Sequence, residues 1–185
     1  MNFTVTPTGM IEAYGLENVV FFPQYTAAEV DPGSGSLLSL VGLPHSDVFS
    51  SRIDPEDPYS PDFDPVALGS RFDHYGFPCP AESRSWWMLG NLFTSLIAFD
   101  PKSGKVYAFP EGEEGYILLH RDIESLLFAL IEFRKLEVDH DNETSEPEEL
   151  SERFRRVVGE FDPTPFADED SQWNLSLQEF EDGMW

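Results

Sequence analysis

The chain has 185 residues, with 35 acidic side chains against 11 basic ones and a net charge of −24. That field repels nucleic acid and anionic membranes and attracts basic partners, although solubility alone would also account for it. A 41% apolar fraction with 16 Phe, 6 Tyr and 4 Trp excludes a disordered chain and supplies a core for one domain.

Residues Thr8 to Tyr14 read as a short helix ended by Gly15, and Asn18 to Phe22 as a strand stopped by Pro23. Gly33-Ser34-Gly35 is expected to separate this unit from a short buried helix over Leu37 to Pro44. From Ser50 to Pro65 the chain is polar and carries Pro55, Pro58, Pro61 and Pro65, so a surface loop over 51–65 is expected. Trp86 to Gly90, Thr94 to Phe99, Val106 to Phe109 and Tyr116 to His120 are apolar runs joined by short turns, the pattern of an antiparallel meander.

Asp122 is a good N-cap for a helix whose apolar stripe is Ile123, Leu126, Leu127, Leu130, Ile131 and Phe133. Arg134 and Lys135 suit its C-terminal end. The acidic stretch 137–149 reads as a solvated linker. A helix over Glu148 to Val158 and another over Asp168 to Asp182 complete an α+β chain, a mainly antiparallel meander sheet flanked by N-terminal and C-terminal helices. The residues from Glu137 to Trp185 hold sixteen acidic side chains against Arg153, Arg155 and Arg156.

The chemical constellations are incomplete. Gly104-Lys105 lacks the glycine five positions earlier, where Phe99 stands, and the Ser or Thr that should follow, where Val106 stands. It therefore turns a hairpin over Asp100 to Gly104 and does not cradle a phosphate. His74 and Cys79 are two candidate zinc ligands where about four are needed. Asp139 to Glu143 alternates like a calcium loop, but Thr144 and Leu150 occupy the positions of the required glycine and glutamate. Asp168-Glu169-Asp170 reads as a charge cluster at the start of the last helix. Glu111, Glu113 and Glu114 could in principle pair as acid and base, but a solvated loop is the commoner outcome. Neither Gly33-Ser34-Gly35 nor Gly69-Ser70 has the spacing of a nucleophile elbow. No catalytic residue, metal or cofactor is expected.

Trp86-Trp87 place one ring on each face of a strand, with burial of both favoured over exposure of one. Cys79, the lone cysteine, excludes an internal disulfide and suits a reducing compartment. The N-terminus MNFTVTPTGM lacks the basic and apolar regions of a signal peptide, and no apolar run reaches membrane-spanning length. A cytoplasmic protein is expected, for which the Asn-X-Ser/Thr patterns at Asn2, Asn142 and Asn174 carry no meaning.

The order of "LVGLP", "WWMLG", "TSLIAFDPKSGKVYAFPEGE" and "DIESLLFALIEF" resembles the SUKH superfamily, most closely its group-four immunity-protein branch. The opening "FTVTPTGMIEAYGLENVVFFP" and the ending "DPTPFADEDSQWNLSLQEFEDG" are similar to that branch too. The resemblance implies an α+β fold and a cytoplasmic protein without catalytic residues. It also implies a partner, a nuclease or deaminase toxin domain that is bound to protect the producing cell. It identifies no contact residue. The −24 charge implies that such a partner carries a basic surface, and the chain is expected to be a monomer or weak homodimer without nucleic-acid or membrane contacts. Candidate partner-binding residues are Glu111, Glu113, Glu114, Asp139, Asp141 and Glu143, with Trp86 and Trp87 as aromatic anchors. The alternatives are a regulatory scaffold of the same superfamily and a hydrolase using Glu111 to Glu114.

Overall fold

In the computed structural model, which describes residues 3–26, 28–51, 66–113 and 115–184, the first helix is α1 (Pro7–Tyr14). The Thr6 hydroxyl caps it by accepting from the Gly9 amide, and Pro7 fills a position whose N–H has no helical partner. Strand β1 (Val19–Val20) is shorter than expected and pairs with β2 (Leu43–Pro44). The Gly33-Ser34-Gly35 separator is a correction, because these residues are buried inside helix α2 (Pro32–Ser36). Pro32 presets the first turn, and the Asp31 carboxylate accepts from the Gly33 and Ser34 amides, which outweighs the low helix propensity of glycine. The helix runs on into a π turn over Leu37–Val41, with Leu37, Leu38 and Val41 buried.

The meander gains a strand at its front. The order is β3 (Phe49–Ser51), β4 (Trp87–Leu92), β5 (Ser95–Phe99), β6 (Val106–Phe109) and β7 (Ile117–His120), all antiparallel. Ser50 and Ser51, expected at the start of the surface loop, are the β3 partners of Asn91 and Gly90. The rest of that expected loop, 52–65, lies outside the described residues. Between β3 and β4 in sequence lies α3 (Leu68–Tyr75). Gly90 has φ 154°, and a Cβ there would stand 2.2 Å from the Ser50 carbonyl oxygen. Only glycine lets β3 lie this close to β4 at the point where the β4–β5 register shifts.

The β5–β6 connection is the tight hairpin expected. The Asp100 amide donates to the Lys105 carbonyl at 2.9 Å, the Gly104 amide to the Asp100 carbonyl at 2.8 Å, and Gly104 takes φ 76°.

Helix α4 (Ile123–Asp141) is capped by Asp122, whose carboxylate accepts from the Ser125 amide at 2.8 Å. It extends through residues expected as linker. Leu136 is buried, Arg134 pairs with Glu137, Lys135 with Glu132, and Asp139 with Arg153 of the next helix, so the acidic turn is held by packing and ion pairs. That next helix, α5 (Pro147–Phe161), starts on a proline and reduces the linker to the few residues after Asp141. The last helix, α6 (Gln172–Glu181), begins at Ser171, whose hydroxyl accepts from the Asn174 amide. The acidic triplet Asp168 to Asp170 precedes it rather than forming its first turn.

Alternation along the strands divides the side chains between two faces. Ile97, Phe99, Val106 and Ala108 join the main core with α1, α4, α5 and α6. Ala98 and Phe109, with Leu96 and Tyr107 partly buried, face the other way and meet Leu68 and Phe72 of α3. Phe133, Phe154 and Trp173 lock α4, α5 and α6 together, with ring centroids 5.2 to 5.4 Å apart.

Candidate functional site

Among the described residues, the second face of the sheet is only partly covered. Helix α3 lies over one part of it, and beside the helix is a groove of about 530 Å³. Its walls are Arg71, Phe72, Tyr75, Phe77 and Pro78 on one side, and Leu96, Phe109, Pro110, Glu111 and Glu113 on the other. The local sequence explains how the aromatic wall is presented. Helix α3 ends at Gly76, left-handed at φ 71°, whose amide reaches the Phe72 and Asp73 carbonyls, while the Phe77 amide donates to the Phe72 carbonyl at 3.0 Å. This is a Schellman closure, in which the residue after the glycine commonly packs back on the helix. Phe77 instead remains 65% exposed, and Tyr75 is 52% exposed. The Arg71 guanidinium lies 4.5 Å from the centre of the Tyr75 ring. Asp73 of the helix and Arg84 form an exposed ion pair at 2.5 Å, and the guanidinium holds the carboxyl below its ordinary range.

A serine, a histidine and an aspartate also come together, but inside the core. The Trp173 Nε1–H donates to His120 Nε2 at 2.9 Å. Nε2 is therefore the acceptor, and the ring proton sits on Nδ1, 2.8 Å from Ser125 Oγ. The Ser125 hydroxyl in turn donates to Asp162 Oδ2 at 2.5 Å. Asp162 also accepts from the Arg121 amide and from the amide and hydroxyl of Thr164. A nucleophilic triad places the histidine between serine and carboxylate, with the serine open to substrate. Here the serine sits between the other two, and His120, Ser125 and Asp162 are 0%, 0% and 1% exposed. Burial pushes the His120 imidazole down to about 3, which the nearby Asp162 offsets only in part. Burial works to raise the Asp162 carboxyl, yet the bonds from Ser125, Thr164 and Arg121 outweigh it and keep it below its usual range. The arrangement ties β7, α4, α6 and the segment after α5 into one unit. It carries no signal in sequence, because its members are spread over more than fifty residues.

The model of the family described as SUKH-4 immunity protein matches residues 5–179. The chain belongs to the SUKH-4 immunity protein family. Comparison with curated proteins and with solved structures gives no match. The SUKH-4 match takes in every strand and every helix of the fold described above except the last two residues of α6, so the α+β architecture and the family agree along almost the whole chain.

The residues singled out in the sequence of this SUKH-4 chain fall on different surfaces. Glu111 and Glu113 are exposed on the rim of the groove, and Glu114 lies outside the described residues. Asp139 is half-buried and paired with Arg153, whereas Asp141 and Glu143 are exposed at the end of α4 and share no groove with Glu111. Both tryptophans serve the fold. Trp86 is 6% exposed and stacks on Tyr107 at 4.2 Å, and half-buried Trp87 packs on Tyr25 at 4.7 Å and on Phe99. Solvent meets Tyr75 and Phe77 instead, which sequence reading passed over because α3 is short and follows the proline-rich stretch.

Cys79 is half-buried against the second face, its thiol 3.6 Å from Ser83 Oγ. Among the described residues no three His, Cys, Asp or Glu side chains come together as a metal site, and no helix is long and apolar enough to cross a membrane.

Proposed function

We propose that this chain protects the cell that makes it by binding a cognate bacterial toxin domain and covering its active site. The toxin is of the nuclease or deaminase type, presents a basic surface and is met in the cytoplasm. The chain acts by binding alone, as a monomer or weak homodimer, with no cofactor and no chemistry of its own. The observation that carries this reading is the span of the SUKH-4 immunity protein match, residues 5–179. The net charge of −24 supports it, since an enzyme that works on nucleic acid is itself basic and is drawn to an acidic chain.

The experiment is co-expression in bacteria with the toxin domain encoded in the neighbouring reading frame. Growth is expected to be restored by the wild-type chain and not by an unrelated protein of equal charge. Equal killing with and without the chain would overturn the reading.

A further inference from the structure

We infer that the groove between α3 and the β6–β7 loop is the toxin-docking face, and that it takes a basic segment of the partner seated against Tyr75 and Phe77. The inference rests on the immunity reading and adds the place and the chemistry of contact.

Three observations point there. Phe77 is held by a backbone closure on the Phe72 carbonyl, yet its ring is turned out to solvent. An exposed aromatic ring on a fixed backbone loses little freedom on binding, and aromatic residues beside an arginine are the common anchors of protein interfaces. Next to it Tyr75 and Arg71 continue the same wall and Phe109 stands across from them, which gives a concave surface rather than a lone exposed side chain. Glu111 and Glu113 then stand on the opposite rim, where they can receive a lysine or arginine whose aliphatic stem lies on the rings. A second copy of the chain is the wrong occupant on charge, because two bodies of −24 repel each other.

The probe is the toxin domain of the neighbouring reading frame, made inactive at its own catalytic residue and mixed with the full-length chain. Hydrogen exchange of the wild-type complex is expected to show slowed exchange at residues 71–78 and 109–113. Phe77→Asp and Tyr75→Ala alter exposed side chains and are expected to keep the near-UV spectrum while speeding dissociation at least about tenfold. E111K/E113K is expected to slow association several-fold. Asp141→Lys, away from the groove, is expected to leave dissociation within about twofold.

Slowed exchange confined to α5 and α6, or wild-type dissociation from Phe77→Asp, would overturn the groove and leave the immunity reading standing. So would a homodimer that Phe77→Asp abolishes, since that assigns the face to a second copy. A wild-type chain that forms no complex with the toxin overturns both.

Discussion

His120 shows how a single side chain sets the acid limit of this fold. Its ring is neutral in the folded chain, with a pKa pushed down to about 3, whereas in the unfolded chain it titrates at about 6.5. Between those values the unfolded chain binds a proton that the folded chain refuses, so stability falls as the pH drops through that window. Asp162 acts in the same direction lower down: its folded pKa is depressed, so its contribution is present above the unfolded value and is lost as the pH falls through the folded one. Denaturant unfolding at pH 7 and pH 5 is therefore expected to show a loss of up to about 1.4 kcal/mol per pH unit from His120 below its unfolded value. His120→Gln offers one donor and one acceptor but takes up no proton, and it is expected to flatten that dependence. An unchanged slope would show that the ring is not the titrating group. Ser125→Ala removes the acceptor for His120 Nδ1–H and a donor to Asp162, which costs about 1–3 kcal/mol for stranded buried polar groups. Chemical denaturation at pH 7 measures it, and a loss below about 0.5 kcal/mol would mean that the chain of bonds is not formed.

At the scale of the element, the first strand of the sheet depends on one missing methyl group. Gly90→Ala brings a Cβ to 2.2 Å from the Ser50 carbonyl at a φ that side chains rarely adopt. A loss of about 1–3 kcal/mol is expected from the backbone strain alone. Faster amide exchange at Phe49 to Ser51 is expected with it, and protection at wild-type level there would contradict the pairing.

What was legible in the sequence follows from the same kind of local cause. The β5–β6 hairpin could be read because Pro101 and Gly104 mark the turn between two alternating runs, and α4 because Asp122 and the leucine stripe mark its start and face. The β4–β5 turn could not. It is made by Phe93 and Thr94, Phe93 adopts φ 51°, and its ring packs on Phe133 and Trp173, so tertiary contact replaces the usual glycine or asparagine. The end of α4 was hidden because Glu137 to Asp141 look like solvated chain until Arg153 arrives from α5. The groove is half visible: Glu111 and Glu113 stand out as charge, but the rings across from them, Tyr75 and Phe77, lie at and just past the end of a helix more than thirty residues earlier.

Over the whole molecule the cations do little to relieve the acidic field. Arg84, Arg121, Arg134, Lys135, Arg153 and Arg155 each lie against a carboxylate of the same chain. The surplus carboxylates of the helical layer face outward, while the apolar anchors lie on the opposite face of the sheet. The net field therefore acts at long range from the whole surface, and Glu111 and Glu113 bring carboxylates beside the anchors themselves. Association with a basic toxin is accordingly expected to slow at least about tenfold between low and high ionic strength, with a much smaller change in dissociation. Stopped-flow mixing at the two salt concentrations measures this, and an association rate insensitive to salt would assign the charge to solubility.

The proposal that the chain neutralises a toxin by occupying it makes a stoichiometric prediction. The most direct measurement is a titration of the toxin's own catalytic activity, on its nucleic-acid or nucleoside substrate, with increasing amounts of the purified chain. A linear fall is expected that reaches zero at one chain per toxin molecule. Full activity in the presence of a severalfold excess of folded chain would contradict it.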